Sequence, residues 1–226
     1  MGIPCIGWKS AAMRQLLYLI PVTGLLATAA HFDIPAQETQ ESGIVFVSMR
    51  DGIEDIYVMN SDGSDVRRVT VTEPLDGEEA VTSVPAWSPD GEHIVFASNR
   101  DDGGAANLYL VDANGENLRR LTDHDKFDYT PDWSPDGKQI AFLSSRDGFY
   151  EVYTMDQDGS DVLRITHLER EGGLLCCPDW SPDGTRIAFQ ATTDAAPSRL
   201  PFAVYVIDAD SRALVRAQPK MRAPMR

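Results

Sequence analysis

One seven-residue motif, Pro-x-Trp-Ser-Pro-Asp-Gly, occurs three times in the chain and limits its fold more than any other feature. Its tryptophans, Trp87, Trp133 and Trp180, are 46 and 47 positions apart. A fixed period in the forties is typical of repeat proteins in which each repeat is one supersecondary unit that buries its apolar face against its neighbours. The three copies are Pro85–Gly91, Pro131–Gly137 and Pro178–Gly184.

The segments between these motifs have the pattern of short β-strands. Each motif precedes an apolar run of three or four residues, and a second apolar run with a central tyrosine follows. In the first three repeats this second run leads to a turn pair, Asp62-Gly63, Asn114-Gly115 or Asp158-Gly159. Such pairs accept the positive φ angles of tight hairpin turns, and no helical period is visible outside the N-terminal segment. The first apolar runs are Ile44–Val47, Ile94–Ala97, Ile140–Leu143 and Ile187–Phe189.

This pattern predicts an all-β fold, a β-propeller of four-stranded antiparallel blades. About four blades are expected, and the first lacks its inner strand because no tryptophan motif precedes Ile44. The order Trp-Ser-Pro-Asp-Gly, Ile-Ala-Phe, Ser-Arg-Asp-Gly, Tyr, Asp-x-Asp-Gly, Arg-Leu-Thr resembles the TolB-type, WD-like β-propeller repeat family over residues 43–210. The resemblance implies the fold, which hosts unrelated activities.

Two differences from that family limit what the resemblance implies. The family's namesake carries an α/β domain before its propeller, whereas residues 31–42 here form a short linker, so a role in the Tol system is not carried over. Family propellers usually have six or more blades. A small closed ring, an open arc and a truncated gene product all stay open as interpretations, and an open arc could be completed by a homo-oligomer.

The N-terminal residues 1–30 have the features of a signal peptide. Arg14 precedes an apolar run over residues 16–26, and small residues follow at positions 27–30; Met13 is an alternative start. We therefore expect a periplasmic or secreted protein with no membrane span after cleavage, the alternative being an uncleaved N-terminal anchor. Residues 211–226 are predicted to be an irregular basic tail.

The charge balance excludes several kinds of partner. The chain has 35 acidic and 20 basic residues and a net charge of −15. Nucleic acids and anionic membranes need clustered Lys and Arg, so neither is expected as a partner. The acidity favours neutral or basic partners, or serves solubility alone.

The chain has three cysteines, which do not form a disulfide framework. Cys5 is expected to leave with the signal peptide. Cys176 and Cys177 are adjacent, and successive side chains of an extended strand point to opposite faces. We therefore expect both to be reduced.

Residues at identical places in every repeat are assigned to the repeat's own structure. The Arg-Asp pairs at 50–51, 100–101 and 146–147 are predicted to be local ion pairs, and the Asp-Gly loops to be hairpin turns, not calcium sites. The structural motif residues are Trp87, Trp133, Trp180, Asp90, Gly91, Asp136, Gly137, Asp183 and Gly184.

The segment before each tryptophan varies most between the repeats, and it is where a propeller presents loops to a ligand. In the second such segment, Phe127, Asp128 and Tyr129 are the candidate ligand-binding residues. No catalytic motif is visible, and we expect no enzyme activity, no cofactor and no metal site.

The sequence thus predicts a non-catalytic, exported module that binds a protein, a peptide or an envelope ligand. The alternative is a partial propeller domain of a prolyl-oligopeptidase-like peptidase or of a larger propeller protein, inactive alone.

Overall fold

The computed structural model describes residues 43–75, 80–101, 103–168, 175–192, 202–210 and 212–216. These residues form fifteen β-strands in four antiparallel sheets, which confirms the predicted all-β fold. The predicted signal peptide, the linker and residues 217–226 of the predicted tail lie outside the described residues. Within those ranges, no helix has the length and apolar character needed to cross a membrane.

Each sheet is built from strands that are consecutive in the chain. The first sheet contains β1 (Ile44–Ser48), β2 (Asp55–Met59) and β3 (Arg67–Arg68). The second contains β4 (Thr82–Trp87), β5 (His93–Ser98), β6 (Asn107–Asp112) and β7 (Arg119–Arg120). The third contains β8 (Asp128–Trp133), β9 (Gln139–Ser144), β10 (Glu151–Asp156) and β11 (Leu163–Arg164). The fourth contains β12 (Leu175–Trp180), β13 (Arg186–Thr192), β14 (Phe202–Asp208) and β15 (Leu214–Arg216).

The two ends of this series differ in how they match the prediction. The first sheet has three strands, as expected from its missing tryptophan motif. The last strand, β15, lies inside the segment predicted to be an irregular tail, and its Val215 pairs with Val206 of β14. The fourth sheet therefore has a fourth strand. The sequence did not predict this strand because the tryptophan repeat does not continue there.

A phenylalanine and a tyrosine hold the two central strands of every sheet in register. The two residues are cross-strand partners, and their ring centroids lie 5.7 to 5.9 Å apart. Cross-strand aromatic pairs of this kind stabilise an antiparallel sheet by about 0.2–1 kcal/mol. The pairs are Phe46–Tyr57, Phe96–Tyr109, Phe142–Tyr153 and Phe189–Tyr205.

The Asp-Gly and Asn-Gly pairs form hairpin turns, as predicted. Gly63, Gly115 and Gly159 have φ angles of 85°, 92° and 94°. The residue before each glycine accepts a backbone N–H from two positions further on, for example Ser160 N to Asp158 Oδ1 at 2.9 Å. This is the local bond with which aspartate and asparagine stabilise turns.

The hydrophobic core lies between the sheets, not within one of them. Three clusters of buried side chains join the first sheet to the second, the second to the third and the third to the fourth. The described sheets thus form an open arc. Among the described residues, no further cluster covers the outer face of the first sheet or that of the fourth. Ile44 and Val204, on these outer faces, are both substantially exposed.

Close backbone contacts accompany this packing. A Cβ added to Gly115 would lie 2.8 Å from the carbonyl oxygen of Val69, and one added to Gly159 would lie 2.7 Å from that of Leu121. In both cases the oxygen belongs to the preceding sheet. The corresponding Gly63 of the first sheet has open space around it.

Candidate functional site

The first strands of the second, third and fourth sheets lie side by side. β4 packs on β8 and β8 packs on β12, so these innermost strands converge on the inside of the arc. Loops and strand ends at such a position are presented together to a ligand by a rigid scaffold.

A bulge interrupts each inner strand three residues before its tryptophan. Val84, Thr130 and Cys177 have φ angles of 49°, 50° and 57°, and the register shifts at each of them. Valine and threonine are branched at Cβ and rarely adopt positive φ. The neighbouring structure holds the backbone in this strained form, which costs about 1–3 kcal/mol per residue.

The motif residues that follow form a turn between the first two strands of each sheet. The serine hydroxyl donates to the aspartate carboxylate, at 2.6 Å for Ser181 and Asp183. Thr185 also donates to Asp183 through its N–H and its hydroxyl. The bond from Ser181 and these two bonds from Thr185 lower the pKa of Asp183 to about 2. Asp90, Asp136, Gly91, Gly137 and Gly184 occupy the same turn positions.

The structure places the three tryptophans between sheets. Trp133 lies in the cluster that joins the second and third sheets, and Trp180 in the cluster that joins the third and fourth. Trp87 packs against the cluster between the first and second.

The predicted local ion pairs between neighbouring Arg and Asp residues are wrong. The guanidinium of Arg146 lies over the rings of Phe142 and Tyr153, 5.3 and 5.0 Å from their centroids. The carboxylate of Asp147 instead accepts a hydrogen bond from the hydroxyl of Tyr153 at 2.5 Å. The two side chains separate because each finds a partner that the strand pairing brings closer. Arg50 and Asp51, and Arg100 and Asp101, separate in the same way.

Asp128 is fully buried and pairs with Arg146. Its Oδ2 accepts from Arg146 Nη2 at 3.0 Å, and its Oδ1 has no hydrogen-bond partner among the described residues. The equivalent Arg100 points to the first sheet and donates to Thr72, which in turn donates to the buried Asp55. The second sheet has the neutral Asn107 where the first has Asp55.

This comparison explains the unusual position of Asp128. If Arg146 pointed to the preceding sheet as Arg100 does, it would face the neutral Asn107 and no carboxylate. Asp128 of its own sheet therefore supplies the negative charge. A buried cation needs such a partner. The geometry therefore makes Asp128 a counter-ion of Arg146. This role differs from the ligand-binding role predicted for Asp128 together with Phe127 and Tyr129.

Phe127 and Tyr129 form a stacked aromatic pair at the start of β8, in which Phe127 is exposed and Tyr129 is half-buried against the core between the second and third sheets. Their ring centroids lie 5.7 Å apart with an interplanar angle of 16°, and Phe127 is 42% exposed. The N–H of Phe127 donates to Ser145 Oγ, and its carbonyl accepts from Ser145 N, so the turn after β9 fixes its backbone. The pair is thus held on a rigid support.

The turn after β9 adds two more aromatic residues. Burial raises the pKa of Tyr129, with a further electrostatic contribution from Tyr150, and burial also raises the pKa of Tyr150. Phe149, beside Tyr150, is exposed. We call Phe127, Tyr129, Phe149 and Tyr150 the aromatic rim.

The full set of four aromatic residues occurs in the third sheet alone, although the fourth sheet has Phe202 in the place of Tyr150. Positions 129 and 150 hold Ser83 and Ala106 in the second sheet, and Glu54 stands in place of Tyr150 in the first. The sequence pattern pointed to Phe127 and Tyr129 as candidates, which stay a prediction, and did not point to Phe149 and Tyr150. The missed pair could have been found by aligning the Arg-Asp-Gly segments and asking where one repeat differs from the others.

The expectation that Cys176 and Cys177 are reduced is wrong, because the structure joins them in a disulfide. The expectation assumed a regular strand with alternating side chains. At Cys177 the bulge and the positive φ angle interrupt that alternation, so both sulfur atoms lie on the same side.

A family model matches much of the chain. The model describes the TolB beta propeller domain, and it covers residues 73–214, which is more than half of the sequence.

Individual relatives and solved structures are similar to parts of the chain. The Tol-Pal system protein TolB of Desulfosudis oleivorans is 30% identical over 126 residues, 56% of this chain and 27% of that protein. An uncharacterised peptidase of Bacillus subtilis is 47% identical over 47 residues, 21% of this chain and 7% of the peptidase. The solved structure assigned as TolB from Agrobacterium tumefaciens has a TM-score of 0.63 and 28% identity, and the match covers 77% of this chain and 60% of that one. The chain thus spans less than two thirds of the length of these relatives.

Proposed function

We propose that this chain, which belongs to the TolB beta propeller domain family, is a non-catalytic binding module that presents its aromatic rim to a protein or peptide. One observation carries the proposal: Phe127 and Tyr129 stack together at the start of β8, where the equivalent positions hold Val81 and Ser83 in the second sheet and Leu174 and Cys176 in the fourth. Side chains repeated in every sheet serve the packing of the repeat, so side chains that one sheet alone carries are available for a ligand.

Aromatic side chains suit this role. They bury a large area at a low cost in conformational entropy, and they are enriched among the residues that dominate binding energy. The backbone of Phe127 is fixed by two hydrogen bonds to Ser145, which lowers the cost of ordering on binding. The net charge of −15 favours a neutral or basic ligand.

We further propose that the protein acts outside the cytoplasm. The support is the N-terminal sequence, in which Arg14 precedes an apolar run and small residues follow at positions 27–30. N-terminal sequencing of the protein recovered from its native host tests this proposal. A mature terminus near residue 30 supports it, and an intact Met1 or Met13 recovered from the cytoplasm contradicts it.

Site-specific photocrosslinking tests the binding role. A photoreactive phenylalanine analogue at position 127 is expected to capture a partner protein from envelope extracts. The same analogue at position 71, an exposed valine of the first sheet, is the control. With the analogue kept at position 127, Y129S should weaken the captured band while keeping the β-sheet circular dichroism signal. Equal capture at both positions contradicts the proposal.

A second candidate is the propeller part of a peptidase. It is favoured by the one-repeat match to the peptidase of Bacillus subtilis, which covers 7% of that protein. Hydrolysis of fluorogenic peptide substrates by the purified chain, above the rate of a heat-denatured sample, would favour this candidate over the binding module.

The outer faces of the arc support a third proposal, in which two or more copies complete the propeller. Gly63 has open space where the equivalent Gly115 and Gly159 contact a preceding sheet. Light scattering measures the mass of the chain in solution. A mass that increases with concentration supports assembly, and a monomer at all concentrations contradicts it.

A further inference from the structure

The Cys176–Cys177 disulfide joins neighbouring residues, and this removes its usual structural purpose. A disulfide stabilises a fold mainly by restricting the unfolded chain, and the effect grows with the length of the loop that it closes. Two adjacent residues close no such loop. The fold therefore gains little of this stabilisation from the bond.

The other sheets show that the local backbone does not need the bond either. Val84 and Thr130 occupy the place of Cys177 in β4 and β8, with φ angles of 49° and 50°, against 57° for Cys177. Each of these strands makes the same bulge without sulfur. The bulge is thus a property of the repeat, and reduction of the disulfide should leave it in place.

The two cysteine residues also lie at least partly at the surface. Both cysteines are partly exposed, whereas the flanking Pro178 and Trp180 are buried. Thiol exchange requires a thiolate to approach one sulfur atom, so the rate depends on this access. The inner strand β12, which carries the pair, packs directly on β8, which contains Tyr129 and directly follows Phe127.

We propose that Cys176 and Cys177 form a redox-active site that exchanges with small thiols or with a dithiol protein. A thiolate attacks one sulfur, which gives a mixed disulfide and one free protein thiol. A second external thiolate attacks the external sulfur of the mixed disulfide, so that a bond forms between the two external sulfur atoms. The bond to the protein sulfur breaks, and the second protein thiolate is released and protonated. The pair takes up two electrons and two protons, two external thiols become one disulfide, and the propeller stays folded throughout.

The test uses the full chain with Cys5 replaced by serine, so that all thiol chemistry comes from the pair. Alkylation under denaturing conditions without reductant is expected to modify neither cysteine. After treatment with millimolar glutathione it should modify both. The thermal midpoint of the reduced form should lie within about 3 °C of the oxidised form, because a bond between adjacent residues closes no loop.

Phenylarsine oxide then tests whether the two thiols stay together in the folded, reduced protein. It bridges neighbouring thiols, so we expect one arsenic per chain in the reduced protein and none in the oxidised protein. The matched control is C176S/C177V, which installs the Ser83-Val84 pair of the second sheet. This variant should fold with a similar thermal midpoint and bind no arsenic.

Three results would overturn the proposal. Alkylation of both cysteines without reductant would show that no disulfide forms. A loss of more than about 10 °C in the thermal midpoint on reduction, or in C176S/C177V, would make the bond structural. Resistance of the folded protein to glutathione would make the bond inert.

Discussion

Gly159 lies so close to Leu121 that a Cβ on the glycine would be 2.7 Å from the leucine carbonyl oxygen. The two residues belong to adjacent sheets, so this contact measures how tightly one sheet packs on the next. Gly63 has the same place in the first sheet, a similar φ angle of 85°, and no neighbour within reach.

Replacement of either glycine by alanine should therefore have different costs. G63A introduces only the strain of positive φ, about 1 kcal/mol. G159A has the same strain and must also displace a backbone carbonyl, which adds about 1–3 kcal/mol of overpacking. Urea denaturation of both variants measures the difference. Equal destabilisation would show that the sheets are more loosely packed than the structure indicates.

The inner-strand bulge predicts an unusual response to glycine. V84G removes a branched side chain from a residue with a φ angle of 49°, so it relieves strain while it loses some packing. V45G makes the same change in the regular strand β1, where the side chain packs against the core. We expect V84G to cost about 1–2 kcal/mol less than V45G. A larger loss for V84G would contradict the assignment of strain to the bulge.

A hydrogen bond joins the inner strand of the fourth sheet, β12, to the inner strand of the third sheet, β8. The backbone N–H of Trp180 donates to Asp132 Oδ2 at 2.8 Å, in a buried position. D132A leaves this N–H without its acceptor and should cost about 1–3 kcal/mol. D132N keeps an acceptor oxygen and is expected to cost less. Thermal denaturation compares the two, and equal losses would assign the effect to charge instead of the hydrogen bond.

The turn aspartates predict a loss of stability in acid. The pKa of Asp183 is lowered to about 2 in the folded protein, from an ordinary value of 3.8. A lowered folded-state pKa contributes stability that is fully present above the ordinary value and is lost as the pH falls from about 4 to about 2. D183A should therefore be less stable than the parent at pH 6, and the difference should shrink towards pH 2. NMR titration of the Asp183 carboxyl carbon gives the folded-state pKa directly; an ordinary value would contradict the prediction.

The repeats made the fold predictable from sequence because periodic residues report the contacts that every sheet needs. The tryptophan motif, the Phe–Tyr pairs and the Asp-Gly turns each recur, so their common role could be read without a structure. β15 was missed because its sheet lacks a following repeat to mark it. A feature that occurs only once in the chain has no repeated copy from which its role can be inferred.

The candidate site shows the same limit. Phe127 and Tyr129 stood out because they differ from the other inner strands, but Asp128 between them pairs with Arg146. That partner depends on Asn107 in the neighbouring sheet, a three-dimensional relationship that no spacing in the sequence expresses. The disulfide was missed for a similar reason, since its formation depends on the positive φ angle of Cys177.

The placement of the cores between sheets has a consequence for motion. The first and fourth sheets each contribute to one cluster, whereas the second and third each contribute to two. Local opening should start at the two ends of the stack, and the middle sheets should exchange their amide hydrogens most slowly. The aromatic rim stands on one of these middle sheets, so a ligand would meet a surface that is already ordered before it binds.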